Sequence, residues 1–240
     1  MRADLRAPLP SDASVTMHGA CSLATEQVVT TDQAIPPIVG AILAGGLARR
    51  LGGGDKALRM VGDRTILARM ADRLMPQVTR LVISANDDPR RFAGFRVPIV
   101  ADSVLNHPGP LGGVLASLDW VASSAPDVAR VLTVPGDVPF IPRDLVARLR
   151  AGIDHEPRAI ACAASGGRRH PVIALWPVAL REELRRAVAE EGIRRVETFL
   201  QRYSCSVADW PTDAVDPFFN VNTPSDLVEA NRLVALHPDL

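Results

Sequence analysis

The sequence predicts an α/β fold with a mostly parallel central sheet and helices on both faces. After residue 36, short apolar runs alternate with stretches in which apolar residues recur at helical spacing, and turns rich in glycine and proline separate them. Such alternation is typical of βαβ units, whose strands lie parallel in one sheet. At 240 residues, the chain is long enough to bury the core of one full domain.

Residues 1–36 differ in composition from the rest of the chain. They are rich in Ala, Thr, Ser, Asp and Pro, and they have neither apolar periodicity nor the apolar core of a secretory signal. A segment that buries little apolar surface does not offset the entropy lost on ordering. We therefore expect a disordered tail over residues 1–36 and a single domain over residues 37–240.

The first half of the domain contains three predicted strands and two predicted helices. Ile38–Leu43 is an apolar run that predicts a buried strand. Residues 65–78 follow a Gly-Asp turn and carry apolar side chains at helical spacing, which predicts a helix. Residues 80–84 and 97–101 predict the second and third strands, and residues 111–121 predict a second helix with one apolar face.

The second half continues the alternation. Residues 129–134 form an apolar run that predicts a strand in the centre of the sheet. Ile141-Pro142 predicts the start of another helix, because proline suits the first helical turn. Residues 166–169 predict a hairpin turn that leads into a strand over residues 172–176. Residues 220–224 predict a strand end followed by a helix start, with threonine as the N-cap.

Composition and charge exclude several classes of protein. Because the formal net charge is zero, no global attraction to nucleic acid or to an anionic membrane is expected. No stretch is long and charge-free enough to span a bilayer. Cys21, Cys162 and Cys205 are far apart and form no C-x-x-C pair, which predicts neither a disulfide framework nor a zinc site and favours the reducing cytoplasm.

The most informative motif is the loop over residues 43–56, directly after the first predicted strand. It contains five glycines, two adjacent arginines and a closing lysine. Glycines let backbone N–H groups approach a phosphate without a Cβ in the way, and Arg50 and Lys56 add positive charge to the same loop. The loop therefore predicts a polyphosphate site; the alternative is a glycine-rich connector that binds nothing.

The loop matches neither of the two common phosphate motifs. A P-loop needs Ser or Thr after its lysine, but Ala57 follows Lys56 here. A dinucleotide fingerprint matches weakly, because it begins too long after the strand. The spacing Leu-Ala-Gly-Gly, three residues, Arg, one residue, Gly, three residues, Lys instead resembles the signature loop of nucleotidyltransferases with a Rossmann-like fold, where it wraps an NTP triphosphate.

Acidic residues and glycines follow the next predicted strands. Asp102-Ser103 and residues 109–113 follow the third strand, and Asp137 lies between Gly136 and Pro139 after the fourth. Ligands of parallel sheets bind at the carboxyl ends of the strands, so these residues are expected beside the phosphate loop. Magnesium favours one or two carboxylates together with substrate phosphates, and Asp137 suits that role. The alternative for both acids is a helix cap or ordinary turn.

Six segments in the same order resemble the molybdenum cofactor guanylyltransferase family, and the match runs from Val39 to Leu227. They are residues 43–56, Asp102-Ser103, residues 109–113, residues 135–139, His170-Pro171 and residues 220–224. The resemblance implies a three-layer Rossmann-like nucleotidyltransferase fold with a mostly parallel sheet. It also implies Mg²⁺-dependent transfer of GMP from GTP to the terminal phosphate of molybdopterin, with release of pyrophosphate.

The resemblance also implies roles for individual residues. It implies catalytic roles for Arg50, Lys56 and Asp137, with Asp137 also as the metal ligand. Nucleotide binding is implied for Leu43, Ala44, Gly45, Gly46, Lys56, Ser84, Asp102, Gly109, Gly113 and Asp137. Pterin binding is implied for His170, Asn220 and Asn222, although a histidine at a strand start is also typical of a surface residue. The sequence departs from some relatives at Ser84, where they carry a nucleotide-contacting asparagine.

Two other functions compete with this interpretation. Cytidylyltransferases acting on the same pterin tend to have Ala-Ala-Gly in the loop and acids in place of the two asparagines. Ala44-Gly45-Gly46, together with Asn220 and Asn222, therefore favours GTP over CTP. A non-catalytic cofactor carrier would need neither Lys56 nor Asp137. The expected partners are the small-molecule substrates and, by transient docking, molybdoenzymes or other cofactor-biosynthesis proteins.

Overall fold

A computed structural model describes residues 36–45, 53–86, 88–104, 109–153 and 156–240. The tail expected over residues 1–36 lies outside these ranges except for Pro36. The described elements are β1 Ile38–Leu43, β2 Met60–Val61, β3 Arg64–Thr65, α1 Ile66–Leu74, β4 Arg80–Ser84, β5 Ile99–Val100, α2 Pro110–Ser124, β6 Arg130–Pro135, α3 Leu145–Ala151, β7 Ile160–Ser165, β8 Arg168–Pro177, α4 Arg181–Ala189, α5 Val196–Leu200, β9 Cys205–Trp210 and α6 Pro224–Leu236.

Seven strands form one sheet in the order β5-β4-β1-β6-β8-β7-β9, and β2 and β3 form a separate small hairpin. The pairs β5-β4, β4-β1, β1-β6 and β7-β9 are parallel, while β8 runs antiparallel to both of its neighbours. The predicted mostly parallel sheet is confirmed. The strand predicted for its centre corresponds to β6, which has three strands on either side.

Helices pack on both faces of the sheet, as expected for three layers. One buried cluster joins the sheet to α1, α3 and α6, and includes Ile42 and Leu67. The other joins it to α2, α4 and α5, and includes Val39 and Leu118. Burial of side chains of this size stabilises the fold by about 1.5–3 kcal/mol each. None of the helices in the described ranges combines the length and apolarity needed to cross a membrane.

The first predicted helix is shorter than expected. Thr65 is its N-cap, and its hydroxyl accepts a hydrogen bond from the Ala68 backbone N–H. The helix ends at Leu74 rather than near residue 78, and a 3-10 turn over Met75–Gln77 follows. Pro76 explains the early end, because proline lacks the backbone N–H that a continuing α-helix requires.

The helix predicted to start at Ile141-Pro142 is wrong by one turn, since α3 begins at Leu145. The carbonyl groups of this segment are used by side chains from the first helical region. Arg73 donates to the Ile141 carbonyl at 3.0 Å, and Gln77 donates to the Pro142 carbonyl at 2.8 Å. These tertiary hydrogen bonds hold the segment outside the helix and override the local signal of the proline.

The end of the sheet beyond β6 departs most from the predictions. The hairpin turn at Gly166-Gly167 is confirmed, but its first strand, β7, and the edge strand β9 were not predicted. The strand end expected at residues 220–222 is wrong: these residues belong to no strand. Instead, the Val221 N–H donates to the Asp137 carbonyl at 2.9 Å, which brings this segment to the end of β6.

Candidate active site

The carboxyl ends of β1, β4 and β6 meet at one edge of the sheet. The Ala44 N–H donates to the Ser84 carbonyl at 2.8 Å, and the Gly136 N–H donates to the Leu43 carbonyl at 2.9 Å. A cleft of about 310 Å³ opens at this edge. Its described walls are Leu43, Ala44, Gly45, Lys56, Ala57, Ser84, Asn86, Asp102, Gly109, Pro110, Gly113, Pro135, Gly136, Asp137 and Val172.

Two glycines allow the backbone segments around the cleft to approach closely. A Cβ at Gly136 would lie 3.1 Å from the Leu43 carbonyl oxygen, and that neighbour is backbone that cannot rotate away. A Cβ at Gly113, in the first turn of α2, would lie 2.9 Å from the Ser84 hydroxyl. The first turn of α2 therefore packs directly on the end of β4, and its positive helix end lies at the cleft, where it favours anions.

Lys56 connects three segments that are distant in sequence. It opens a short 3-10 turn over Lys56–Leu58, and the preceding Asp55 forms an ion pair with Arg91 at 3.0 Å. The Lys56 Nζ lies 3.5 Å from Asp137 Oδ2, and it also donates to Asn222 Oδ1. The lysine is thus held at the cleft wall between a carboxylate and an amide.

The Asp137 carboxylate is largely buried in the cleft, with 17% of its side chain exposed. Its Oδ2 faces Lys56, whereas its Oδ1 is buried with no hydrogen-bond partner in the described part of the chain. Burial raises the pKa of the Asp137 carboxyl, and the Lys56 ammonium opposes that shift. A buried carboxylate oxygen without a partner is costly unless a ligand completes the site. Asp137 is therefore suited to hold a cation.

The described residues contain no group of three or more His, Cys, Asp or Glu side chains that could hold a metal by themselves. The cleft instead offers a metal site that the substrate would complete, with one protein carboxylate and phosphate oxygens of the substrate as the other ligands. Magnesium is commonly bound in that way, because it dehydrates reluctantly and keeps several waters. The donor set of the cleft therefore matches magnesium better than zinc.

Asn86 and Asp102 form a reciprocal pair at the far side of the cleft. The Asn86 amide donates to Asp102 Oδ2 at 2.9 Å, and the Asp102 N–H donates to Asn86 Oδ1 at 2.7 Å. Asn86 was not among the predicted residues. Its position two residues after the end of β4, at the carboxyl edge of the sheet, is the sequence feature that could have identified it. An amide is thus present near Ser84, the position at which the sequence departs from some relatives.

The three predicted pterin-binding residues do not line the described cleft. Asn222 contacts Lys56, so the structure brings it to the charged end of the cleft. Asn220 lies beside the Asp137 backbone through the Val221 hydrogen bond, and its Oδ1 is buried without a partner among the described residues. His170 lies further along the same edge, where its Nε2 is 2.8 Å from the Ser165 hydroxyl.

Most of the predicted nucleotide site is brought together. The cleft walls contain Leu43, Ala44, Gly45, Lys56, Ser84, Asp102, Gly109, Gly113 and Asp137. Gly46 and the predicted catalytic Arg50 lie outside the described residues.

Comparison with known proteins identifies the family of the chain. The model of the MobA-like NTP transferase domain family matches residues 40–204. A molybdenum cofactor guanylyltransferase of Rhodopseudomonas palustris strain HaA2 is 55% identical over 208 residues, covering 87% of this chain and 96% of that protein. A protein of the same name from Nitrobacter hamburgensis is 52% identical, covering 84% of this chain and 97% of that protein.

Solved structures agree with the fold. The crystal structure of molybdopterin-guanine dinucleotide biosynthesis protein A from Archaeoglobus fulgidus superposes with a TM-score of 0.63 at 21% identity, covering 82% of this chain and 99% of that one. This likeness confirms the three-layer Rossmann-like nucleotidyltransferase fold. With the family model and the relatives at more than half identity, it follows that the chain belongs to the molybdenum cofactor guanylyltransferase family.

Proposed function

We propose that the protein transfers GMP from GTP to the terminal phosphate of molybdopterin, which yields the guanine dinucleotide form of the cofactor and pyrophosphate. The observation that carries the proposal is the largely buried Asp137 carboxylate beside Lys56 in a glycine-lined cleft. Relatives named molybdenum cofactor guanylyltransferase share about half of their residues with this chain over nearly their full length.

We propose Mg²⁺ as the metal and Asp137 as its protein ligand. The partnerless Oδ1 of Asp137 supports this assignment, since it provides a buried anionic oxygen at the cleft. When bound, Mg²⁺ would neutralise charge on the triphosphate and on the departing pyrophosphate.

The residues of the chain would act mainly by alignment and charge neutralisation. The acceptor phosphate is already a nucleophile, so in-line attack at the α-phosphorus of GTP requires no general base. Two polyanions repel each other strongly in a partly dry cleft. Lys56, the positive end of α2 and backbone N–H groups of the glycine loop would offset this repulsion. Arg50 is predicted to add to this charge, although it lies outside the described residues.

The Asn86–Asp102 pair supports guanine as the preferred base. A carboxylate only accepts hydrogen bonds, and guanine presents two adjacent N–H donors on its Watson–Crick edge. Asn86 holds the Asp102 side chain and backbone in one arrangement, so little ordering would be needed on binding. Cytosine presents fewer donors on that edge and would satisfy the carboxylate less well.

We further propose that molybdopterin binds on the side of His170, Asn220 and Asn222. The supporting observation is that Asn220 and Asn222 flank Val221, whose N–H is bonded to the Asp137 carbonyl. The catalytic domain would comprise residues 37–240, with residues 1–36 as a tail. The reaction would take place in the cytoplasm, and the product would pass to molybdoenzymes by transient docking.

Isothermal titration of the full chain with GTP and, separately, with CTP tests the nucleotide first, each with Mg²⁺. Tighter binding of GTP is expected, and tighter binding of CTP would contradict the base assignment. Steady-state assay with GTP and molybdopterin then tests the reaction, with pyrophosphate release as the readout. Failure to release pyrophosphate in the presence of both substrates would contradict the proposed transfer.

A further inference from the structure

Three side chains form a hydrogen-bonded row at the edge of the sheet beside the cleft. Ser165, at the end of β7, donates its hydroxyl proton to Asp216 Oδ1 at 2.7 Å. The same Asp216 oxygen accepts the Phe218 backbone N–H at 2.9 Å, which holds the carboxylate in place. The Ser165 hydroxyl also lies 2.8 Å from His170 Nε2. We refer to Asp216, Ser165 and His170 as the edge relay.

The edge relay determines which nitrogen of His170 carries the proton. A serine hydroxyl has one proton, and here that proton is directed to Asp216, because a carboxylate only accepts hydrogen bonds. The contact between Ser165 and His170 therefore requires Nε2–H as the donor. In the neutral ring, Nδ1 is left as an acceptor. Burial lowers the pKa of His170, against the opposing effect of Asp216, so the neutral form is favoured.

The position of His170 places it near the residues that would receive the acceptor substrate. Its ring centroid lies 4.9 Å from that of Phe218, and Asn220 follows two residues later with its unpartnered, buried Oδ1. The next residue, Val221, is bonded to the Asp137 backbone. His170 is only half-buried, so part of its ring stays accessible at this edge.

We propose that Asp216 and Ser165 act as positioning residues that hold His170 as a fixed hydrogen-bond acceptor for an N–H or O–H group of molybdopterin. The inference rests on the proposed function, because it concerns the acceptor subsite of the same reaction. A side chain fixed before binding loses little rotational freedom when the ligand arrives, so the relay strengthens acceptor binding without contacting the nucleotide.

Steady-state kinetics of the full chain tests the relay. Ser165→Ala removes the acceptor of the Nε2 proton, and His170→Leu removes the ring nitrogens. Each is expected to raise the KM for molybdopterin by about tenfold, as for one lost hydrogen bond, while kcat and the KM for GTP stay within about twofold. His170→Gln retains a side-chain acceptor and is expected to restore most of the binding.

A second pair of variants covers the case in which Ser165→Ala fails to fold. Asp216→Ala removes the acceptor of the serine proton, whereas Asp216→Asn retains an oxygen at the same position. The alanine variant is expected to raise the KM for molybdopterin and the asparagine variant to leave it nearly unchanged. Thr65→Ala, which removes the N-cap of α1 far from this edge, serves as a control for lost stability alone.

Nitrogen NMR of the histidine rings provides a readout that a purely structural role would not move. The wild type is expected to show His170 as the Nε2–H tautomer, and Asp216→Ala is expected to show a mixture of tautomers. The loss of one signal in His170→Gln identifies the resonance among the five histidines. A His170 tautomer that does not change in Asp216→Ala would overturn the relay. Variants that raise the KM for GTP as much as the KM for molybdopterin, with a lowered Tm, would overturn it as well.

The kinetic assay distinguishes failure of the proposed reaction from failure of the edge relay. A wild type that does not transfer GMP to molybdopterin would overturn the proposed function and the relay together. A wild type that transfers GMP, with variants of normal acceptor KM, would overturn the relay alone.

Discussion

Lys56 and Asp137 are separated by 81 positions in the sequence, yet the Lys56 Nζ lies 3.5 Å from Asp137 Oδ2 at the cleft. The contact arises because β1 and β6 are parallel neighbours, so the segments that follow them leave the sheet at the same edge. Gly136 lets the two chain segments approach without a side chain between them. The pair joins the predicted phosphate loop to the predicted metal ligand in one charged site.

Replacement of Asp137 should separate chemistry from nucleotide binding. Asp137→Ala removes the only carboxylate that the described cleft directs towards Lys56, so kcat is expected to fall by about a hundredfold or more. GTP binding should weaken less, since the loop and Lys56 remain, as does the hydrogen-bonded pair of Asn86 and Asp102 that is proposed to contact the guanine. Steady-state kinetics and isothermal titration with GTP measure the two effects.

Asp72→Ala is a matched control for the loss of a carboxylate, because Asp72 is half-exposed and pairs with Arg64 away from the cleft. Its turnover is expected to be unchanged. Normal turnover of Asp137→Ala would refute the assignment of Asp137 as the metal ligand.

The stability of the wild type relative to Asp137→Asn should depend on pH in a defined direction. Burial raises the pKa of the Asp137 carboxyl above its usual 3.8, so the folded state binds the proton more tightly than the unfolded state. The contribution of this group to stability is therefore present at low pH and is lost as pH rises from 3.8 through the raised pKa. The asparagine variant has no such titration.

The Tm difference is defined as the Tm of Asp137→Asn minus that of the wild type. In metal-free buffer, this difference is expected to increase across this pH window and to stay constant above it. Thermal unfolding followed by circular dichroism at several pH values measures the difference. Added Mg²⁺ should stabilise the wild type and narrow the gap, since it binds only the carboxylate form. A Tm difference that narrows with rising pH in metal-free buffer would contradict a raised pKa of the Asp137 carboxyl.

Much of the nucleotide site could be predicted because it depends on one rule of parallel sheets. Lys56, Asp102 and Asp137 each follow an apolar strand, and the carboxyl ends of such strands meet. The contact of Asn222 with Lys56 was beyond that rule, because the strand that precedes Asn222, β9, was not predicted and lies at the sheet edge, three positions from β6. The tertiary hydrogen bond between Val221 and Asp137 brings the asparagine to the cleft.

The elements that sequence patterns missed share a physical reason. β7 consists largely of alanine and other small residues, which have no strong preference for strands, and its burial becomes clear only between β8 and β9. The non-helical segment at Ile141 and Pro142 is held by Arg73 and Gln77, whose reach across the core is not encoded locally.

The two asparagines should have separable effects on the kinetics. Asn222→Ala removes a hydrogen bond from the Lys56 ammonium, and bonds to charged groups are worth about 1.5–3 kcal/mol. We expect kcat/KM for GTP to fall by about tenfold to a hundredfold. Asn220→Ala should leave that value within about twofold and raise the KM for molybdopterin. The opposite pattern would reverse the roles of the two residues.

The contact between Gly113 and Ser84 can be tested by a double-mutant cycle. Gly113→Ala places a Cβ 2.9 Å from the Ser84 hydroxyl, so the free energy of unfolding is expected to fall by about 1–3 kcal/mol. Ser84→Ala removes the clashing oxygen and should recover part of that loss in the double variant. Urea denaturation measures all four proteins. Additive effects would show that Ser84 and Gly113 do not pack against each other.

Cys205 should behave as an unusually acidic thiol. Its pKa is lowered to about 7, chiefly by a hydrogen bond from Cys162 on the neighbouring strand and also by Arg169, whose Nη2 lies 3.4 Å from the sulfur. The hydrogen bond with Cys205, together with burial, raises the pKa of the Cys162 thiol, so Cys162 stays protonated and can donate. The thiolate is the nucleophile, so the rate of alkylation follows its population.

The rate of iodoacetamide labelling at Cys205 is therefore expected to reach half of its maximum near pH 7, rather than near the usual 9.0. Peptide mass mapping assigns the label and distinguishes Cys205 from Cys21, while buried Cys162 should remain unlabelled in the folded protein. Arg169→Gln removes the guanidinium charge and should shift the midpoint upward, because the thiolate then loses its nearest cation. If the midpoint stayed near pH 7 in that variant, the acidity would arise from the Cys162 hydrogen bond alone, and Cys162→Ala would then have to raise it.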